Sequence, residues 1–346
     1  MDFNSNATTP PTSQPQGYDQ LTPDVMLDAL ASVGLYGDGR MLALSSYENR
    51  VVQFHVEDES GLASAVVAKF YRPNRWSDEA IFEEHSFAHE LMAGEVPMVA
   101  PLVLNDATLN HFAGYAFSVS PSRGGRRPEL DDFEVLEWIG RLLARLHNVG
   151  AAQPFAHRPA INPTSYGTAC KEWLLANNAL PLEVQRLWCD TFDQAMTTVH
   201  SKWATYNESQ FEHAHIRLHG DCHPGNILWA PNDGPHFVDL DDARSGPAVQ
   251  DLWMLLSGDR NAQTVALSAV LDGYEQVRAF NRAELALIEP LRTLRMVHYS
   301  TWLAKRWDDP AFAANFPWFG SPDYWHGQVH QLQEQIEAMQ EPALFV

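Results

Sequence analysis

The sequence predicts an α+β chain in two lobes, a small strand-rich N-lobe followed by a larger, mainly helical C-lobe. Three observations carry this. Residues from about 41 to 71 alternate with period two. A connector rich in Pro, Gly and Arg, "PSRGGRRPE" at 121–129, shows no apolar periodicity. Beyond it the apolar spacing is helical, interrupted by a strand-like stretch at about 214–240. With 346 residues, 45% of them hydrophobic, the chain is long enough for two cores. The expected divisions are a tail over 1–20, the N-lobe over 21–120 and the C-lobe over 121–346.

The opening residues, rich in Pro, Thr, Ser, Gln and Asn, bury too little apolar area to offset the entropy of ordering, so a disordered tail is expected there. At "LTPDVMLDAL", Thr22 as N-cap, Pro23 at the first helical position and Asp24 in the first turn start a helix. "VVQFHV" and "SAVVAKFY", rich in β-branched and aromatic residues and separated by the acidic "EDESGLA", read as antiparallel strands. A helix is predicted from about Ser77 to Ala93, then strands near "VAPLVL" and "GYAFSVS". In "FEVLEWIGRLLARLH", Val135, Ile139, Leu142 and Leu146 share one helical face. Helical patterns return after about 165 and dominate from 248. There is no internal repeat.

Forty-four acidic against 23 basic residues give a formal net charge of −21, which repels phosphate backbones and anionic lipid surfaces. Neither nucleic acid nor membrane is therefore an expected partner. Three scattered cysteines without a CxxC pair fit a reduced, cytoplasmic protein. The start has neither a basic leader nor an apolar core, and no run of about 18 apolar residues follows.

The densest chemistry lies in "RLHGDCHPGNILW", residues 217–229. Three readings compete for it: a metal site on His219, Asp221 and His223, a hydrogen-bonded structural turn, or the catalytic loop of a phosphotransferase. Asp221 and Asn226 keep the five-residue spacing of the kinase loop HRDxxxxN, and "HFVDL" delivers Asp239 thirteen residues after Asn226. Phosphoryl transfer needs such a set, one carboxylate facing the nucleophile and another carrying a cation that neutralises the phosphate oxygens. In the N-lobe "VVAK" ends in Lys69 on a predicted strand, like the lysine that contacts the α- and β-phosphates. Ile81, Glu84, Ala88 and Leu91 share one stripe of the next helix, so Glu84 points inward and wants a cation, assigned as Lys69, with Glu83 as the fallback. The layout is then that of a bilobal protein-kinase-like fold.

"HGDCHPGNIL", "FVDLDDA" and "GPAVQDLWML" resemble the aminoglycoside phosphotransferase and choline kinase superfamily. More narrowly, "SYENRVVQF", "VAKFYRP", "FVDLDDARSGPAVQDLWMLL" and "IEPLRTLRMVHY" resemble the bacterial stress response kinase A family, over about 21–341. The resemblance implies an ATP- and Mg²⁺-dependent Ser/Thr protein kinase, acting on a protein substrate that includes its own chain, and a monomer is expected. It carries over Asp221 as proton acceptor, Asn226 and Asp239 as Mg²⁺ ligands and Ser46 as an ATP contact. "LSSYENR" departs from the GxGxxG loop and Asp239-Leu240-Asp241 from DFG, so nucleotide contacts fall to Ser46, Tyr47, nearby amides or Asn49.

Plainer roles stand beside these. His219 and His223 are expected to hold the loop by hydrogen bonds. Asp251 is expected to brace the loop from the following helix, and Cys222 to fill space. Trp302, Trp307, Trp318 and Trp325 suit core packing better than a cage for a quaternary amine. A metallohydrolase leaves Lys69, Glu84 and Asn226 without a task. A pseudokinase conflicts with the intact Asp221, Asn226, Asp239 and Lys69. A kinase of small alcohols or amino sugars is the alternative acceptor class.

Overall fold

The structure, a computed structural model, describes residues 17–58, 63–208, 215–230 and 233–346. The chain divides into two compact units. One comprises the described residues up to Phe82 with Pro101–Ser122, the other Glu83–Ala100 with Arg123–Val346.

The first unit begins with α1 (Pro23–Ala31), where Thr22 accepts from the Val25 amide as its N-cap. Next come β1 (Leu35–Ala43), β2 (Arg50–Asp58) and β3 (Ala63–Phe70), and α2 (Asp78–Ala93) starts here. The unit closes with β4 (Asn110–Phe112) and β5 (Tyr115–Pro121). The five strands form one antiparallel sheet in the order β1-β2-β3-β5-β4. Val52 pairs with Ala68 and Phe54 with Val66, and these four alternate positions are buried with Val56, Phe70, Phe117 and Val119 as the sheet's core face. The expected β2–β3 pair is thus present, with its turn at 59–62 outside the described residues.

Three expectations need correction. The first strand begins at Leu35, not near 41, because β1 is exposed almost throughout and shows no alternation to read. Val99–Leu104 forms no strand: Pro101 lacks a donor, and the Leu102 amide alone reaches the Val119 carbonyl. The tail expectation for 1–16 lies outside the described residues, but residues 17–20 are anchored. There the Tyr18 hydroxyl donates to the Glu48 and Phe70 carbonyls and its ring stacks on Tyr115.

The second unit contains α3 (Phe133–Gly150), α4 (Ala169–Ala176), α5 (Leu182–Glu208), β6 (Ile216–Leu218), β7 (Ile227–Ala230), β8 (Gly234–Phe237) and β9 (Arg244–Gly246). It ends with α6 (Val249–Trp253), α7 (Arg260–Tyr274), α8 (Ile288–Ala304), α9 (Pro310–Asn315) and α10 (Pro322–Ala338). Its core holds Val135, Ile139, Leu142 and Leu146 on the expected face of α3. Gly140 and Gly273 let α3 and α7 touch backbone to backbone, since a Cβ on either would meet a carbonyl oxygen of the other helix at 2.0 or 1.9 Å. Trp325 is fully buried, and Trp302 and Trp307 pack on Phe312 and Phe319 at 5.0 Å between ring centres, as the packing reading expects, whereas Trp318 is exposed and departs from it.

Residues 83–100 belong to this second unit by packing as well as by charge, since Phe87, Leu91, Val96 and Met98 lie in its core. Three carboxylates of α2 bind partners within it. Glu83 accepts the amides of Ala156, His157 and Arg158, Glu84 pairs with Arg158 at 2.8 Å, and Glu90 pairs with Arg217 at 2.6 Å. At the connector, the last division falls after Ser122, and Arg126 exchanges both backbone hydrogen bonds with Trp229. Among the described residues no helix is long and apolar enough to cross a membrane.

Candidate active site

The segment from Leu218 to Asn226 leaves β6, turns, and returns as β7. Gly220 makes the turn in the left-handed region, at φ +82°, and a Cβ there would lie 2.1 Å from the Asp242 carbonyl oxygen. Asp251 on α6 holds the turn from behind. Its carboxylate accepts the His219 amide at 2.9 Å and the Gly220 amide at 2.8 Å, and His147 Nε2 lies 3.0 Å from it. His147 in turn meets the Tyr274 hydroxyl at 2.8 Å through Nδ1. The bracing role expected of Asp251 is therefore the one it has.

The same turn organises the metal-binding candidates. His219, fully buried, faces the Val238 carbonyl through Nε2 at 2.9 Å, so Nε2 carries the proton and donates. The Val238 amide donates to the Asn226 carbonyl at 3.0 Å. Val238 is thus tied to both ends of the loop, which places Asp239 beside Asn226. Asp239 itself takes a left-handed conformation, φ +64°, uncommon for a residue with a side chain and tolerated best by Asp and Asn. Its Oδ1 accepts the Asp241 amide at 3.3 Å. Asn226 Nδ2 donates to the Asp221 carbonyl at 2.9 Å, leaving its amide oxygen as a ligand atom. One carboxylate and one amide oxygen are the hard donors that Mg²⁺ takes when phosphate oxygens complete its shell.

Asp221 is about one-fifth exposed. Its Oδ1 forms a 2.7 Å ion pair with Arg295 of α8, and its Oδ2 lies 3.5 Å from both Asn226 Nδ2 and His223 Nε2. His223 accepts the Gly225 amide through Nδ1 at 2.9 Å, and burial holds its imidazole below the usual pKa against the pull of Asp221. Among the described residues no three His, Cys, Asp or Glu side chains are grouped to hold a metal ion, so His219, Asp221 and His223 do not form the site that the metallohydrolase reading needs. Burial pushes the Cys222 thiol well above its usual range, with Asp251 and Asp221 adding to the effect, so it is a protonated space-filler.

Glu84 is buried with the stripe that predicted it. Its partner Arg158 went unnoticed in the sequence. That fully buried side chain also donates to the carbonyls of Leu240, Asp241 and Ala243, at 3.2, 2.9 and 3.0 Å. Arg158 thereby clamps the stretch after Asp239, and its partners lie 74 to 85 residues away, beyond any local pattern.

In the first unit, Lys69 sits on β3 opposite Val51 and Ser118, its ammonium 4.9 Å from the centre of the Tyr71 ring. Ser46 lies in the 44–49 turn between β1 and β2. That turn is fixed by Glu48, paired with Arg72 at 2.9 Å and Arg75 at 2.5 Å. Asn49 is buried and accepts the Arg72 amide, which makes it a structural residue of the turn. The structure thus gathers Asp221, Asn226, Asp239 and Glu84 in one unit and Ser46 with Lys69 in the other.

The sequence pattern of the phosphotransferase enzyme family matches residues 41–288. The chain is 45% identical to the serine/threonine protein kinase RdoA of Salmonella typhimurium and 44% identical to stress response kinase A of Escherichia coli K12, in both cases over 94% of this chain and 96% of the relative. A solved amicoumacin kinase in complex with AMP-PNP and Ca²⁺ has the same fold, with a TM-score of 0.68 and 18% identity over 93% of this chain and 96% of its own. Taken with the α+β fold described above, these matches place the chain in the phosphotransferase enzyme family, as an ATP-dependent kinase of the stress response kinase A group.

Proposed function

We propose that this kinase is Mg²⁺-dependent, works in the cytoplasm as a monomer, and transfers the γ-phosphate of ATP to Ser or Thr hydroxyls of proteins, its own chain among them. The observation that carries this reading is the geometry of one loop: Asp221 presents a partly exposed carboxylate five residues before Asn226, and Val238 binds both loop ends so that Asp239 stands beside Asn226. The protein acceptor is supported by a relative named as a serine/threonine protein kinase.

In this mechanism Asp221 Oδ2 orients the acceptor hydroxyl and takes its proton as the oxygen attacks in line. Asn226 and Asp239 would hold Mg²⁺, which would supply charge neutralisation at the phosphate oxygens. Ser46 and Lys69 of the first unit contact the nucleotide. His219 and Arg158 fix the backbone on either side of Asp239, so the metal ligand needs little reorganisation during turnover.

The test is incubation of the purified protein with labelled ATP and Mg²⁺, with a generic basic protein and a panel of small alcohols and amino sugars side by side. The proposal expects acid-stable phosphate on Ser or Thr. Rapid labelling of a small alcohol with no phosphoprotein replaces it with the small-molecule reading.

A further inference from the structure

Of all the groups around the loop, Arg295 has the least conventional surroundings. On α8 its neighbour Arg292 binds Glu289 of the same helix at 2.8 Å and Gln263 of α7 at 3.2 Å, away from the loop. Arg295 instead reaches off the helix to Asp221 Oδ1 at 2.7 Å, an ion pair without hydrogen-bond alignment. Its side chain is 37% exposed, so most of its five N–H donors are uncommitted to this contact. Among the described residues it is the one arginine or lysine paired with that carboxylate.

We propose that Arg295 is a positioning residue for phosphoryl transfer, holding Asp221 by Oδ1 so that Oδ2 faces the acceptor hydroxyl. This rests on Asp221 being the proton acceptor. A carboxylate beside a nucleotide also repels the γ-phosphate it must serve. A guanidinium bound to its far oxygen offsets that repulsion while leaving the near oxygen open to the hydroxyl. A permanently charged guanidinium suits the task, since it holds the carboxylate by charge at 2.7 Å and keeps N–H donors unspent on that oxygen. "IEPLRTLRMVHY" thereby gains a role within the site, through an arginine 74 residues beyond the loop aspartate.

The experiment compares Arg295→Ala, Arg295→Lys and Arg295→Gln with the unmodified protein in steady-state kinetics, thermal melting and nucleotide binding. Arg295→Ala is expected to lower kcat about 10²-fold, the usual effect of losing one preorganised donor, with the KM for ATP and the melting temperature unchanged. Arg295→Lys recovers part of the loss. Added guanidinium chloride, below denaturing concentrations, raises Arg295→Ala several-fold where equal sodium chloride does not. Asp221→Asn/Arg295→Ala should be no slower than Asp221→Asn alone, since the arginine acts through the aspartate. Arg295→Gln keeps most of the side chain's length if alanine weakens α8. Unchanged kcat in Arg295→Ala, loss without guanidinium rescue in a folded variant, or independent losses in the double variant overturns the inference. Full activity in Asp221→Asn instead overturns the reading beneath it.

Discussion

Asp251 and Asp221 both bear on the segment Leu218–Asn226, and their surroundings differ in nearly every physical respect. Asp251 is fully buried, and its two oxygens are engaged by two backbone amides and by His147. Asp221 is partly exposed, with one oxygen held by Arg295 and the other at 3.5 Å from its nearest donors. The buried carboxylate has no capacity left for a ligand, and its work is to fix backbone. The exposed one keeps an oxygen in reserve, as a group that must exchange a proton requires. A rigid back and an open front are how a loop can be immobile and reactive at once.

The comparison is broken hardest at the metal position. Asp239→Asn replaces the carboxylate proposed to hold Mg²⁺, and turnover should fall about 10³-fold. The effect of Mg²⁺ on nucleotide affinity, followed by fluorescent-nucleotide titration, should vanish with it. A variant that still binds ATP more tightly with Mg²⁺ than without would remove Asp239 from the metal site.

Asp251→Ala strikes the opposite face. Two loop amides and His147 lose their acceptor in a site closed to water, which should cost about 3–5 kcal/mol of stability. Chemical denaturation measures it, and a loss within the scatter of ordinary surface substitutions contradicts the bracing role.

Lys69 and Glu84 sharpen the comparison from a third carboxylate, one that Arg158 holds at 2.8 Å. If Glu84 serves Lys69 as well as Arg158, Lys69→Ala and Glu84→Ala should each lower activity, and the double variant should lose less than the sum by about 0.5–3 kcal/mol. Additive losses would assign Glu84 to Arg158 alone, and repeating the cycle with Glu83 checks the other carboxylate.

Much of this was legible because local physics wrote it locally. The Thr22-Pro23-Asp24 start of α1, the alternation in β2 and β3 and the one-sided stripe of α3 each depend on residues a few positions apart. Spacing alone also singled out Asp221, Asn226 and Asp239, since the loop that gathers Asp221 and Asn226 is six residues long. What escaped depends on distant partners or lacks contrast. β1 carries no alternation because it is exposed on both faces, and Pro101 turns an apolar run into a loop. Arg158 and Arg295 are ordinary arginines in sequence and acquire roles only when segments 74 or more residues away reach them.

The most direct test of the account is Asp221→Asn, measured for both turnover and melting temperature against the unmodified protein. An asparagine keeps the shape and cannot take the proton. Transfer to the protein acceptor should fall about 10²- to 10⁴-fold, while ATP affinity and melting temperature stay within error. Near-normal transfer by the folded variant would contradict the claim that this open carboxylate, and not the closed one behind the loop, carries the chemistry.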